Sequence, residues 1–446
     1  MQKTELNKFD AKQWYLSNFE VFESRLNGHQ ETPFHDTRKQ AIARFADLGF
    51  PTPRNEEWKY TNVAPILRHK FELPVQPVPV DAGEIRPLIF DGFERSVLVF
   101  VNGQFEEKLS AVPAVEGVVV TSLQQALTEH FDLVAPHLGR YAAFEAETFT
   151  ALNTAFVHDG LFVYVPDGVE LEQPLQIVYL SKPQDGPTVS YPRNLVVVGK
   201  GSRLQFVETY GGGADGPYFT NAVTEVLVER DAVVDHVKIQ KETEQAFHVG
   251  GTYVQQERQS TYTSVNLDLG GTLVRNNLNI RLNDEHCETH MYGFYLGHST
   301  QHIDNHTFID HAEPHCFSNE LYKGILGGQA QGVFNGKILV RPKAQKTNAL
   351  QSNKTLLLTN DAAINAKPQL EIFADDVRCT HGATIGQLDE EALFYLRARG
   401  ISERSAEGML RYAFVSDVFE GIKIESLRST LEEEILERLK SIEAEG

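Results

Sequence analysis

Cysteine is scarce in this chain: Cys287, Cys316 and Cys379 are the only three in 446 residues. They are too few and too scattered for a disulfide framework, and free thiols in a reducing compartment fit better. Long apolar runs are missing as well. No stretch approaches the roughly 18 apolar residues that a bilayer-spanning helix needs, and the opening MQKTELNKFD is polar, without the apolar segment of a secretion signal. No membrane partner is expected, and a cytoplasmic location is. Positive charge is also short: 41 Lys and Arg against 61 Asp and Glu leave a formal charge of -20. Such a chain repels a phosphate backbone and has no electrostatic footprint for nucleic acid.

What remains is the composition of a folded protein, since 41% hydrophobic and 23% charged residues lie outside the disordered range. The length exceeds a single core of about 100 to 200 residues, so two or three domains or one elongated repeat architecture are expected.

Three textures follow one another. DTRKQAIARFADLGF, from Asp36, carries a T-x-x-Q capping pattern at Thr37 and Gln40, then helical apolar spacing, then Gly49 and two prolines, which predicts a helix with a clear stop. VLVFVNGQF, residues 97–105, surrounds Asn102-Gly103 with strand formers, a strong hairpin signal. The first 150 residues are therefore mixed α/β. From about Leu161 to Ile372 come short β-rich runs (LFVYV, NLVVVG, RLQFVETY, KILVRP, KTLLLT) with no helix-length pattern between them. A sandwich, a barrel or a solenoid all fit, because no strict sequence period selects one. After Gly386 helices return. Asp389 can cap EEALFYLRAR, which stops at Gly400. Ala406, Met409, Leu410, Ala413, Phe414 and Val418 then share a helical face, and Leu427, Leu431, Ile435, Leu439 and Ile442 share the next.

Two glycine motifs are decoys. GGGADG at residues 211–216 matches G-x-G-x-x-G, but a Pro and strand formers follow where a helix N-terminus should hold the phosphates. GVFNGK at residues 332–337 has one residue too few between its glycines for a phosphate loop, and Ile338 stands where Ser or Thr should ligate magnesium.

Chemistry concentrates in two places. Seven histidines lie between His286 and His315, and a strand over 302–308 would set His302, Asp304 and His306 on one face, a donor set suited to a transition metal. The same alternation fits polar side chains on a solvated outer face with Ile303 and Ile309 pointing inward. Secondly, Cys379-Thr380-His381 places a thiol and an imidazole two residues apart, both donors for iron or sulfide, with Arg378 expected to favour the thiolate. A buried cysteine beside a structural histidine is the alternative there.

FADDVRCTHGATIGQLDEEALFYLRARGI, with Arg411 to Phe414 beyond it, resembles the C-terminal signature of the SufB/SufD family, and GVFNGKILVRPKAQKTNALQSNKTLLLTNDAAINAKPQLEI is similar to that family's preceding β core. RNEEWKYTNV, with Trp58 and Tyr60, and LVFVNGQF resemble the SufD branch and not the SufB branch. The resemblance covers essentially the whole chain. It implies a right-handed parallel β-helix (β-solenoid) core over 151–385, a mixed α/β N-terminal region over 1–150 and a C-terminal helical module over 386–446. It further implies a non-catalytic scaffold for iron–sulfur cluster assembly, paired with a SufB-like paralogue and bound to a SufC-like ABC ATPase. Cys379 and His381 would face the assembly interface, where a cluster forms transiently and none is held tightly by this chain alone. Leu410, Phe414 and Val418 are candidate anchors for the ATPase, unless their stripe packs on the chain's own core. A homodimer is an open alternative to the heteromeric pair. The competing functional reading is a metal-dependent β-fold enzyme using His302, Asp304 and His306.

Overall fold

The computed structural model describes residues 9–26, 34–74, 77–183, 186–213 and 216–442. Its centre is a β-solenoid of about eight turns. Successive strands alternate between two sheets and pair in parallel with the strand one coil earlier. One sheet runs from Gln104–Phe105, beside Val97–Val101, to Arg378–Gly386, and the other from Val119–Ser122 to Ala363–Ile372. Inward residues of both sheets make one continuous apolar core from Leu98 to Ala362. The Asn102-Gly103 hairpin forms as expected: both residues have positive φ, 49° and 79°, and Phe100 pairs with Phe105.

Six successive coils turn one corner through a single left-handed residue. Gly201, Asp231, Gln259, His286, His315 and Lys346 all have φ between 58° and 65°. The residue after each is small and buried: Ser202, Ala232, Ser260, Cys287, Cys316 and Thr347. These columns define the coil, although no single residue type marks them.

The flanking regions cover opposite outer faces. Tyr15, Phe45, Trp58, Phe71 and Phe149 pack on Phe219 and Phe247 of the second sheet. The helices Glu403–Phe419 and Glu425–Ser441 pack Val415, Val418, Phe419, Leu427 and Leu431 on Val237, Leu267 and Phe294 of the first. Full burial of such side chains stabilises by about 1.5–3 kcal/mol each, so these helix faces are committed to the solenoid. Helix Glu390–Ala398 begins where expected, with Asp389 accepting from the Glu391 and Ala392 amides, and Gly400 follows it at φ 87°.

Two local expectations are corrected. The second helix spans Phe34–Leu48, so Thr37 lies inside it and caps nothing. Its start is drawn upstream by tertiary contacts: Phe34 packs with Leu123 and Phe162, and the Arg38 Nε donates to the Val157 carbonyl at 3.0 Å. The helical stripe beyond Gly400 is rotated. Met409 and Ala413 are exposed, while Ala406, Arg411, Val415 and Val418 are buried. Both decoy motifs fall in strand context. Gly211 and Gly212 end one strand and Tyr218–Val228 follows as the next, with Ala214 and Asp215 outside the described residues; GVFNGK lies within Gln331–Val340.

Candidate functional site

The last strand of the solenoid, Arg378–Gly386, pairs on one side with Asn348–Leu357 and has no partner strand on the other among the described residues. Strand Ala363–Ile372 likewise pairs only with Gln331–Val340. The solenoid therefore ends in two open parallel edges. Period-two alternation sends Cys379 and His381 to the same, inward face of this last rung. Cys379 lies in register with Ala349 and packs, half-buried, against the end of the solenoid core. His381 lies in register with Gln351 and is exposed.

Burial raises the Cys379 thiol above its ordinary range, partly offset by the Ala349 amide. The expected thiolate bias from Arg378 is thus corrected. Neighbouring residues of a strand face opposite sides, so the guanidinium does not share the sulfur's surroundings. A metal ion at this thiol must displace its proton.

Beneath His381 the lumen turns polar. Gln351 Nε2 donates to Glu320 Oε2 at 2.7 Å, one rung further in and 31 residues earlier. Burial pushes the Glu320 carboxyl up to about 7 despite the bond from Gln351. Neither Glu320 nor Gln351 stands out in the sequence. The coil register alone connects them to His381, and it is readable only once the corner residues are known.

His302, Asp304 and His306 do share a face of strand His302–His311, with Ile303 and Ile309 buried behind them. That face is neither solvated nor a metal centre. The segment around Trp58–Thr61 covers it: the Thr61 hydroxyl donates to Asp304 and lies 2.8 Å from His302 Nε2. Arg275, stacked 3.8 Å from the Trp58 ring, donates to Asp304 Oδ2 at 2.9 Å. His306 Nε2 is 2.9 Å from the other carboxylate oxygen. Although burial opposes it, His306 and Arg275 hold Asp304 far below the usual carboxylate range. A guanidinium occupies the place a metal would need, and no cluster of three His, Cys, Asp or Glu able to hold an ion occurs among the described residues. The metal-enzyme reading is replaced by a buried ion-pair cluster that fastens the N-terminal region to the solenoid.

Of the candidate anchors, Leu410 and Phe414 are half-buried. Lys323 Nζ donates to the Phe414 carbonyl at 2.6 Å and lies 5.0 Å from its ring. Val418 is completely buried against the solenoid and offers no surface to a partner, which corrects its reading as an anchor. The most exposed apolar side chains of this module lie on the preceding helix, where Phe394 is 74% and Tyr395 56% accessible, and Met409 is exposed on the helix itself. No helix among the described residues is long and apolar enough to cross a membrane.

The chain matches two family models: "SufBD protein N-terminal region" over residues 9–177, and "SUF system FeS cluster assembly, SufBD core domain" over residues 179–414. It is 32% identical to an iron–sulfur cluster assembly SufBD family protein of Synechocystis, over 92% of each chain. It is 29% identical to the iron–sulfur cluster assembly protein SufD of Escherichia coli, over 96% of each. With the SufD of Bacillus subtilis the identity is 27%, over 97% of this chain and 99% of that one.

Proposed function

The chain belongs to the SufBD family of iron–sulfur cluster assembly proteins, and we propose that it acts there as a non-catalytic scaffold subunit of the SufD kind, in the cytoplasm, beside a SufB-like paralogue and a SufC-like ABC ATPase. One observation carries this reading. The thiol and imidazole of Cys379 and His381 stand two residues apart on the last rung, at an edge with no partner strand among the described residues.

An open parallel edge presents unpaired N–H and C=O groups to an incoming strand. Phe373 and Ile385, 64% and 54% accessible, add apolar surface beside it. The end of a second solenoid of the same build complements both edges. That supports the paralogue as occupant, and a second copy of this chain is the alternative assembly. Cys379 and His381 supply two of the four ligands an iron–sulfur cluster takes. The cluster is therefore transient cargo completed by the partner, and this chain alone holds none tightly.

The ATPase docks on the helices after Gly386. Phe394 and Tyr395 are its exposed anchors, with the half-buried Leu410 and Phe414 of the next helix as further candidates. Helix Glu403–Phe419 is bolted to the solenoid through Lys323, so motion imposed there reaches a stiff β body.

Co-expression with the ATPase and the paralogue tests the assembly. A ternary complex is expected, and truncation after Gly386 should release the ATPase while keeping the paralogue. A truncated chain that still captured the ATPase would contradict the docking assignment.

A further inference from the structure

Cys287 and Cys316 occupy successive rungs of the corner column, each directly after a left-handed histidine, His286 or His315, both with φ 61°. The two imidazoles are exposed and stack outside the corner at 5.0 Å and 17°, while the two thiols point inward and are 1% accessible. Both sulfurs gather at one backbone atom: Cys287 Sγ lies 3.1 Å and Cys316 Sγ 3.2 Å from the Asp284 carbonyl oxygen. Two groups held against the same oxygen are neighbours of each other. A bond from the Cys316 thiol lowers the Cys287 thiol below its ordinary range and raises Cys316 above it. The Phe317 amide donates to the Cys287 carbonyl at 2.9 Å, which fixes the rung spacing. Adjacent strands stand about 4.8 Å apart, inside the roughly 4.4–6.8 Å Cα separation a disulfide accepts.

We propose that Cys287 and Cys316 form a reversible disulfide that staples two consecutive coils when the protein meets a peroxide. The sulfur of Cys287 is the attacking group and that of Cys316 the resolving one. Cys287 takes one peroxide oxygen as the O–O bond breaks, giving a sulfenic acid and releasing one water. Cys316 then attacks the Cys287 sulfur, the S–S bond forms, and the sulfenic oxygen leaves with the Cys316 proton as a second water. Two thiols are oxidised, one peroxide is reduced, and a dithiol reductant reverses the change. The coils are already in register, so closure needs no rearrangement of the strands. Cys379 is the internal contrast, because its neighbour on the adjoining strand is Ala349 and no thiol stands in reach to resolve it.

The test uses the full chain, purified reduced under argon, treated with a modest excess of hydrogen peroxide and digested without reductant. Mass spectrometry is expected to find the Cys287 and Cys316 peptides joined and two hydrogens lighter than their sum. Dithiothreitol should separate them, the oxidised chain should melt at a higher temperature than the reduced one, and Cys287→Ser should abolish the joined species. Full alkylation of both residues after denaturation, in a sample whose Cys379 has been oxidised, would overturn the proposal. So would sulfinic acid at Cys287 without cross-linked peptide.

Discussion

His381 stands directly over Gln351 in the register of the last two parallel strands. The exposed imidazole at the end of the solenoid therefore rests on a fully packed rung, and what lies in that rung determines how firmly it is held.

Gly336 makes room for that rung. A Cβ there would come within 2.3 Å of Gln351 Nε2, so Gly336→Ala must push the amide off Glu320. Overpacking of this kind costs about 1–3 kcal/mol. Urea denaturation should show the loss, and an unchanged midpoint would mean that the lumen yields freely at this end.

Glu320 makes stability depend on pH. Its folded value of about 7 lies above the usual 4.5, so the folded state binds a proton that the unfolded chain has released. The resulting stability is complete below about pH 4.5, falls as pH rises to 7 and is gone above it. Glu320→Gln removes this slope. At pH 8 the variant should exceed wild type by about 3 kcal/mol, and parallel stability curves from pH 5 to 8 would refute the assignment.

Asp304 and Arg275 form a fully buried pair. Asp304→Ala leaves the guanidinium without its carboxylate, which costs on the order of 3–5 kcal/mol. Denaturation of purified protein reads this directly. A variant as stable as wild type that had instead lost a bound metal would restore the enzyme reading.

Surface and core predict opposite behaviour in the C-terminal helices. Phe394→Ala with Tyr395→Ala should stay within about 0.5 kcal/mol of wild type yet weaken capture of the ATPase. Val418→Ala should destabilise by on the order of 2 kcal/mol without removing a contact surface. Equal loss of ATPase capture in both, at equal stability, would contradict this division.

Local chemistry was legible in the sequence where a few adjacent residues decide the structure. The Asn102-Gly103 turn and the Asp389 cap with Gly400 behind it are of that kind. The coils were not legible, because their corner position needs only a left-handed backbone, and Gly, Asp, Gln, His and Lys fill it in turn at uneven spacing. The shared face of His302, Asp304 and His306 could be read from alternation. Its cover could not, since Thr61 reaches His302 across 241 residues of chain. Helix Glu403–Phe419 shows the same limit: its apolar pattern was visible, but the solenoid's own surface chose which side to bury.

The role of Cys379 and His381 in cluster assembly is tested by comparing wild type with the Cys379→Ser, His381→Ala double variant, each co-expressed with the SufB-like and SufC-like partners and purified anaerobically. Absorption and Mössbauer spectra report the cluster, and gel filtration reports the complex. An intact complex whose cluster yield collapses in the variant is expected. An intact complex with undiminished clusters would show that the assembly site lies elsewhere.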